Sequence, residues 1–243
     1  MKAIIFNSGL GNRMGDLTKQ FHKSMTRLSN GETIFHRQLR LLRDAGIRDF
    51  IITTGPFADQ LKGETRDFTD LHFTFVPNDL YAQTNYIYSM YLAREYIDDD
   101  MLFLHGDLVF NAGLVRELIA CPHPSAATVH FTKALPEKDF KGRVVNGCVH
   151  EVGIHIFDEG CHAFQPLYKL DKATARAWVV QVEQFVERGE VKCYAENAFN
   201  VILPTLQVHA FSYEHHYIDE IDNLDDYNRV AREIEPFDAG STG

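Results

Sequence analysis

Short apolar runs alternate with segments of helical periodicity along the first hundred residues of this sequence. The spacing predicts strands at 2–6, 50–52, 71–76 and 101–104, and helices at 32–45, 57–62 and 84–97. Runs this short and apolar are typical of parallel strands buried on both faces. The alternation predicts an α/β fold with a doubly wound, mostly parallel, Rossmann-like sheet. In such a sheet, ligands bind at the carboxyl ends of the strands.

The pattern loosens after about residue 120. It indicates β-rich segments at 125–131, 143–156 and 190–194, and helices at 158–168, 171–188 and 223–234. We expect residues 1–235 to form one domain, in which residues 125–205 are a small β-rich and helical lid insertion. Residues 236–243 have the composition of a turn, and we expect them to be a disordered tail.

The composition excludes several classes of protein. With 243 residues, 45% hydrophobic and 24% charged, the chain is neither disordered nor collagen-like. Its four cysteines form no C-x-x-C pair, which argues against a zinc ribbon. The net charge of −10 disfavours nucleic acid and anionic membranes as partners. No apolar run is long enough to span a membrane, so we expect a cytoplasmic protein, whose oligomeric state the sequence leaves open.

Positive charge is concentrated at the start of the chain. Residues 1–48 carry nine Lys and Arg against three acids, a local charge of +6. This imbalance predicts an anionic ligand near the segment. For Arg37, Arg40 and Arg43 the alternative is that they cover the exposed face of a helix. That alternative explains Arg13 and Lys23 less well.

The first strand runs into a glycine-rich turn at residues 9–15. The turn does not match the dinucleotide fingerprint, because its third glycine arrives one residue late. It does not match a P-loop either, because His22 precedes Lys23-Ser24 where glycine is required. Glycines still let successive backbone N–H groups surround an anion, and Arg13 and Lys23 would add fixed positive charge. These features predict a polyphosphate site.

A carboxylate follows the strand at 101–104, in the sequence His105-Gly106-Asp107. A carboxylate at the end of a central strand projects into the ligand crevice, where Mg²⁺ on a polyphosphate needs oxygen ligands. Asp107 is therefore the first predicted metal ligand. The alternative is that Asp107 caps a helix near residues 112–119.

The opening of the chain resembles that of the nucleotidyltransferases that activate sugar phosphates. Their first strand and loop read roughly Leu-Ala-Ala-Gly-x-Gly-x-Arg, then Thr, then Pro-Lys, and the matching stretch here is residues 6–13 with Thr18 and Lys23. The chain departs from this pattern at Asn7-Ser8, which replace Ala-Ala, and at Gly15 and His22, which replace prolines. The resemblance implies that a nucleoside triphosphate is bound by Ser8, Gly9, Leu10, Gly11, Asn12, Arg13 and Lys23.

The resemblance also supplies further metal ligands. Members of this superfamily carry a short acidic strand before the last helix, and the corresponding stretch here is residues 217–222. Glu220 and Asp222 point to the same face by strand alternation, so one Mg²⁺ could use either or both together with Asp107. The alternative for Asp222 is that it caps the last helix.

A second pattern narrows the resemblance to one branch. Residues 85–90 read Asn-Tyr-Ile-Tyr-Ser-Met, which looks like the phosphocholine cytidylyltransferases and their relatives that activate aminoethylphosphonate. This implies CTP as the donor, with Asn85 and Ser89 near the base or ribose. The alternative is a capped amphipathic helix with Tyr88 in the core.

The acceptor would be chosen by the lid. Trp178, Tyr194 and Glu196 offer aromatic faces and a carboxylate, which suit an ammonium group. Trp178 also lies on the apolar stripe of a predicted helix, so the alternative for it is a place in the core.

These observations predict a Mg²⁺-dependent enzyme that transfers CMP from CTP to the phosphate or phosphonate of a small amino-alcohol acceptor. Phosphocholine and 2-aminoethylphosphonate are examples of such acceptors. The reaction would release pyrophosphate, and its product would serve cell-surface decoration. Lys23, Arg13 and Asp107 would be the catalytic residues. Two alternatives are a sugar-1-phosphate uridylyl- or thymidylyltransferase and a nucleotide-binding regulatory domain without activity.

Overall fold

The computed structural model describes residues 1–9 and 21–239. The strands in these ranges are β1 (Lys2–Asn7), β2 (Asp49–Thr54), β3 (His72–Pro77), β4 (Met101–His105), β5 (Leu108–Phe110), β6 (Ala126–His130), β7 (Lys141–Val145), β8 (Cys148–Gly153), β9 (Cys161–Leu170), β10 (His209–Ser212) and β11 (Ile218–Glu220). The α-helices are α1 (Ile34–Asp44), α2 (Ala58–Glu64), α3 (Tyr86–Ala93), α4 (Ala112–Ala120), α5 (Lys172–Glu187), α6 (Ala195–Phe199), α7 (Leu224–Glu233) and α8 (Glu235–Ala239). No helix in the described ranges is long and apolar enough to cross a membrane.

Nine of the described strands form one sheet in the order β3-β2-β1-β4-β9-β6-β10-β8-β7. The first four are parallel to one another, as the alternation of strands and helices predicts. Beyond β4, most neighbours are antiparallel. The change in direction arises because this part of the chain lacks the regular helical crossovers that parallel neighbours require. β5 and β11 form a separate two-stranded antiparallel sheet.

Two predicted elements of the lid are wrong. Residues 158–168 are predicted as a helix, but most of them belong to β9. That strand lies between β4 and β6 and is buried on both faces, so its apolar residues do not alternate with polar ones. Residues 190–194, predicted as β-rich, form a loop before α6.

The core lies on the two faces of the sheet, because successive side chains of β1 point in opposite directions. Ile4 and Phe6 belong to one cluster, and Ala3 and Ile5 to the other. The first cluster also contains buried residues of β6, β9, α5 and α6. The segment expected to form the lid thus shares a core with the first four strands.

Trp178 is in this shared core and not at a ligand site. Its side chain is 1% exposed, its ring stacks on Phe199 with centroids 4.2 Å apart, and its Nε1 donates a hydrogen bond to the Ala195 carbonyl at 2.9 Å. The structure therefore favours the core alternative and corrects the prediction that Trp178 contacts the acceptor. Its place on the apolar stripe of α5 is the reason.

Truncating Trp178 should destabilise the protein strongly. We expect Trp178→Ala to lower the free energy of unfolding by about 3–5 kcal/mol, because it leaves a cavity between α5 and the sheet. Val180→Ala on the exposed side of the same helix is the control, with an expected change of about 0.5 kcal/mol or less. Denaturation followed by circular dichroism measures both. A loss below about 1 kcal/mol for Trp178→Ala would contradict this packing.

Arg37 ties the C-terminal segment to the domain. Its guanidinium is 2% exposed, donates to the Phe110 carbonyl at 2.9 and 3.0 Å, and forms a bidentate ion pair with Asp238 at 2.6 and 2.9 Å. The exposed-face alternative is therefore wrong for Arg37. The expectation of a disordered tail is corrected for residues 236–239, which lie in α8; residues 240–243 are outside the described ranges.

Candidate active site

A cavity of about 420 Å³ opens at the carboxyl ends of β1 and β4. In the sheet, β2 and β3 follow on one side of β1, whereas β4 lies on the other side of β1. The strand order therefore reverses at β1. Ligands bind at such a reversal in doubly wound sheets, because the adjoining loops separate and leave a crevice. The cavity is lined by residues 6–9, 22, 23, 81, 82, 84–86, 105–107, 194 and 222.

Three carboxylates converge beside this cavity. Asp107 follows β4 directly, and β11 pairs with β5 so that Glu220 is opposite Leu108. The Ile221 N–H donates to the Asp107 carbonyl at 3.2 Å, which holds the two segments together. Asp107, Glu220 and Asp222 each offer an oxygen, and these atoms lie within 4.8 Å of one another.

Lys23 is the cation of this cluster. Its Nζ donates to Asp107 at 2.7 Å and also to Asp222, and the residue is only 8% exposed. Burial alone would lower the pKa of Lys23, but the two carboxylates reverse this and hold the pKa above its usual value. Burial would likewise raise the pKa of Asp107, and Lys23 brings it below its usual range. The pair is therefore ionised at neutral pH.

Glu220 differs from its two acidic neighbours. Burial and, next, the charge of Asp107 raise the pKa of Glu220 well above its usual value. A cation added to the cluster would favour the ionised form of Glu220.

The donor set fits a hard divalent cation. All three ligand groups are carboxylates, the ligand type that such cations prefer. Oδ1 of Asp107 is buried and has no hydrogen-bond partner within the described part of the chain, so it is available as a ligand. The structure thus brings together the predicted metal ligands Asp107, Glu220 and Asp222. The alternative in which Asp107 caps α4 does not hold, since Asn111 is at the N-cap position.

His22, which stands where the superfamily has proline, shapes the start of this site. Its Nδ1 accepts a hydrogen bond from the Ser24 N–H at 3.2 Å, and its ring also interacts with the backbones of Asn7 and Gly9. Burial lowers the pKa of His22 to about 4, so the ring is neutral at physiological pH. His22 therefore connects the end of β1 to Lys23 without adding charge.

The predicted nucleotide-binding residues are placed as follows. Ser8, Gly9, Lys23 and Asn85 line the cavity, whereas Leu10, Gly11, Asn12 and Arg13 lie outside the described residues. Ser89 does not line the cavity. It is fully buried, with its Oγ 2.5 Å from that of Ser8 and accepting a hydrogen bond from Asn78 Nδ2 at 3.0 Å. Ser89 therefore lies behind Ser8, which lines the cavity, and its expected place near the base or ribose stays a prediction.

Of the predicted acceptor residues, only Tyr194 lines the cavity. Glu196 is 1% exposed and accepts hydrogen bonds from the hydroxyls of Tyr86 and of Tyr168, the latter at 2.8 Å. The prediction of direct ligand contact is therefore corrected for Glu196 as well as for Trp178. The short helix α6 buries Glu196 against the sheet, a direction that the sequence does not reveal.

Sequence reasoning missed an aromatic wall on one side of the cavity. Phe6, Tyr86 and His105 join Tyr194 there, with centroid distances of 5.0 Å for Phe6–Tyr86, 4.7 Å for Tyr86–His105 and 6.4 Å for Tyr86–Tyr194. Phe6 and His105 are at the carboxyl ends of β1 and β4, which is the signal that could have indicated them.

Gly106 lies against Asn7 between these two strand ends. A Cβ built on Gly106 would be 1.8 Å from Asn7 Oδ1, so no larger residue fits without displacing Asn7. We expect Gly106→Ala to lower the free energy of unfolding by about 1–3 kcal/mol. Adding Asn7→Ala should recover most of this loss in chemical denaturation. Additive effects of the two substitutions would contradict direct contact.

The fold and site define a class: an α/β enzyme that handles a phosphorylated nucleotide at a lysine and carboxylate centre. Residues 3–226 match the family of MobA-like NTP transferase domains, and the chain belongs to this family. It is therefore a nucleotidyltransferase.

Individual relatives support the same placement. A choline-phosphate cytidylyltransferase of Haemophilus influenzae is 26% identical over 247 residues, which cover 97% of this chain and 98% of that protein. A CMP-5′-(3-aminopropyl)phosphonate synthase of Streptomyces rubellomurinus is 28% identical over 148 residues, or 60% of this chain and 22% of that protein. The solved structure of a CTP:phosphocholine cytidylyltransferase from Streptococcus pneumoniae has a TM-score of 0.78 at 23% identity, covers 95% of this chain and 97% of that one, and shows the same fold.

Proposed function

We propose that this nucleotidyltransferase transfers CMP from CTP to the phosphate or phosphonate of a small acceptor that carries an ammonium group. The observation that carries the proposal is the buried contact of Lys23 with Asp107 and Asp222 at the carboxyl ends of β1 and β4. CTP as the donor and an acceptor with an ammonium group are supported by the names of the Haemophilus influenzae and Streptomyces rubellomurinus relatives described above.

The reaction needs little proton transfer. A phosphate or phosphonate oxyanion is already a nucleophile at neutral pH, so it can attack the α-phosphorus of CTP without a general base. The new P–O bond forms as the α–β bridging bond breaks, and pyrophosphate leaves with that electron pair. The task of the protein is to align the two reactants and to offset their negative charge.

Lys23 serves the second task. Its ammonium stays charged at neutral pH and lies in the cavity, where it can bind the triphosphate once the carboxylates have another partner. Mg²⁺ held by Asp107 and Asp222, with Glu220 beside them, would supply further charge neutralisation. Arg13 lies outside the described residues, and its predicted role in binding the triphosphate remains part of the proposal.

The aromatic wall suits the other end of the acceptor. Ring faces attract a cation through their quadrupole, and the attraction is strongest where water is excluded. The hydroxyl of Tyr86 donates to buried Glu196, which fixes the position of the ring beside the cavity. An alkylammonium group is the cation that this wall would accept.

The test is Mg²⁺-dependent pyrophosphate release with each of CTP, UTP, dTTP, ATP and GTP against four acceptors: phosphocholine, 2-aminoethylphosphonate, glycerol phosphate and glucose 1-phosphate. We expect activity in the CTP series with an ammonium-bearing acceptor. Activity with glucose 1-phosphate and UTP or dTTP would instead identify a sugar-nucleotide enzyme. Mg²⁺-dependent nucleotide binding without turnover would indicate a regulatory domain.

A neutral analogue tests the aromatic wall separately. In 3,3-dimethylbutyl phosphate, carbon replaces the nitrogen of phosphocholine at nearly the same shape. We expect kcat/KM to fall about ten- to thirtyfold with this analogue, as a desolvated cation–π contact predicts. Equal kcat/KM for the two acceptors would contradict the proposed ammonium site.

A further inference from the structure

We propose that Asn7 is a catalytic residue whose carboxamide donates a hydrogen bond to a non-bridging oxygen of the phosphoryl group in transfer. Asn7 is the last residue of β1, lines the cavity and is 1% exposed. Among residues 1–9 and 21–239, neither its Nδ2 nor its Oδ1 has a hydrogen-bond partner. The inference rests on the proposed function and adds a residue to it.

A buried carboxamide without partners is unusual, because it loses its hydrogen bonds to water and gains none in return. The backbone N–H of Asn7 is satisfied, since it donates to Thr53 Oγ1 at 3.0 Å. Its carboxamide has unused hydrogen-bonding capacity in the described part of the structure. A group that enters the cavity can supply the missing partners.

Packing fixes the direction of this side chain. Asn7 fills the space that Gly106 leaves by having no Cβ, and a Cβ there would be 1.8 Å from Oδ1 and 3.1 Å from Nδ2. Within the described ranges, the carboxamide is thus held against the end of β4 by van der Waals contact and not by hydrogen bonds. Such a group is preorganised for a ligand, because it need not break an existing interaction to bind one.

The surroundings indicate which part of a nucleotide Asn7 would meet. Asn7 contacts Gly106, which precedes Asp107, and Oδ1 of Asp107 also lacks a partner among the residues that the structure describes. Lys23 and Asp222 line the same cavity. The phosphates of the nucleotide belong at these charged groups, and their oxygens accept hydrogen bonds from an amide Nδ2.

The role in the reaction follows from this position. When the acceptor oxygen attacks the α-phosphorus and the bond to pyrophosphate breaks, negative charge is redistributed over the non-bridging oxygens. A neutral donor already aimed at one of them stabilises this state without a proton being transferred. The superfamily pattern described above has alanine at this place, so the contact would be a feature of this chain.

Asn7→Leu keeps the approximate size of the side chain and removes its donors. We expect kcat to fall about 10²- to 10³-fold and KM for CTP to rise about tenfold, because the hydrogen bond forms when the nucleotide binds and strengthens in the transition state. Because the wild-type carboxamide is buried without partners, the variant should be at least as stable as the wild type in chemical denaturation. A merely structural role for Asn7 predicts the reverse, a loss of stability with kcat preserved. If Asn7→Leu does not fold, Asn7→Ala provides the same measurements without added bulk.

Gln165→Leu is the matched control. Gln165 in β9 is also a buried amide, 4% exposed, and its Oε1 has no partner, but it does not line the cavity. Its replacement should leave kcat within about threefold of the wild type. A value of kcat for Asn7→Leu in that same range would overturn the inference.

Two further measurements separate this inference from its alternatives. In each diastereomer of CTPαS, sulfur replaces one of the two non-bridging α-oxygens. If Asn7 contacts one of these oxygens, one diastereomer should react more slowly than CTP with the wild type, and this rate difference should be at least about fivefold smaller with Asn7→Leu. An altered preference between CTP and UTP with kcat preserved would assign Asn7 to the base and overturn the phosphate contact.

Binding distinguishes failure of the inference from failure of the proposed function. Calorimetry with Mg²⁺ and cytidine 5′-(α,β-methylene)triphosphate requires no turnover. We expect the affinity of Asn7→Leu for this analogue to be at least about tenfold lower than that of the wild type. If the wild type releases pyrophosphate but Asn7→Leu has unchanged affinity and unchanged kcat, the role of Asn7 is overturned and the proposed function is retained. A wild type that releases none with any nucleotide and acceptor would overturn the proposed function itself.

Discussion

Replacing Lys23 with methionine should reduce turnover by about 10³-fold or more, the largest effect that we expect from a single substitution. The ammonium of Lys23 is buried between Asp107 and Asp222, and in the proposed reaction it offsets charge on the triphosphate. Methionine fills similar space but has no charge. The measurement is pyrophosphate release at saturating CTP and acceptor.

The fold of this variant must be assessed separately. Removing one member of a buried ion pair leaves the other uncompensated, which costs about 3–5 kcal/mol. Circular dichroism and thermal unfolding with Mg²⁺ present, which can neutralise the carboxylates, show whether the variant is folded under the conditions of the assay. Lys172→Met, at an exposed position on α5, is the control and should keep wild-type turnover. A folded Lys23→Met enzyme with nearly normal turnover would contradict the assignment of this site.

Substitution of the carboxylates should give the second large effect. We expect Asp107→Asn to lower kcat about 10²- to 10³-fold and to raise the Mg²⁺ concentration for half-maximal activity at least about tenfold. The reason is that Asn keeps the shape but removes one negative ligand from a cluster whose oxygens lie within 4.8 Å of one another. Asp222→Asn should behave similarly.

Stability provides a readout for the metal that does not depend on activity. A cation that binds only the folded state raises the melting temperature, so Mg²⁺ should stabilise the wild type more than Asp107→Asn. Asp225→Asn, an exposed neighbour at the start of α7, should retain both the activity and the response to Mg²⁺. Equal stabilisation by Mg²⁺ of the wild type and both carboxylate variants would show that the cation binds elsewhere.

The parallel half of the fold and the charged part of the site follow from the sequence for the same physical reason. Short apolar strands separated by helices must form a crossover sheet, and the ends of such strands meet at one edge. Lys23 and Asp107 are therefore in contact although they are 84 residues apart in the sequence. Glu220 and Asp222 required the resemblance to known enzymes, because β11 is too short to be recognised from its pattern.

The antiparallel half was harder to predict. β9 is buried on both faces, so it lacks the alternation that identifies a half-exposed strand, and it was mistaken for a helix. Glu196 is likewise ambiguous, because only the tertiary structure determines whether a carboxylate faces a ligand or the hydroxyls of Tyr86 and Tyr168.

The proposed role of Asn7 depends on its packing, which a sequence pattern does not contain. Its departure from the family pattern is visible in the sequence, but its unpartnered carboxamide and its contact with Gly106 are properties of the packed structure. A sequence pattern can show that a residue is unusual, whereas its hydrogen-bonding state depends on every neighbour.

The proposed function requires that Lys23, Asp107 and Asp222 form the centre that binds the metal and the nucleotide. A crystal structure with Mn²⁺ and cytidine 5′-(α,β-methylene)triphosphate would test this, because the anomalous signal of manganese locates the cation independently of the nucleotide. We predict an anomalous peak ligated by Asp107 and Asp222, with the triphosphate bound by Lys23. A triphosphate bound away from the ends of β1 and β4, or a cation held by other residues, would show that this cluster is not that centre.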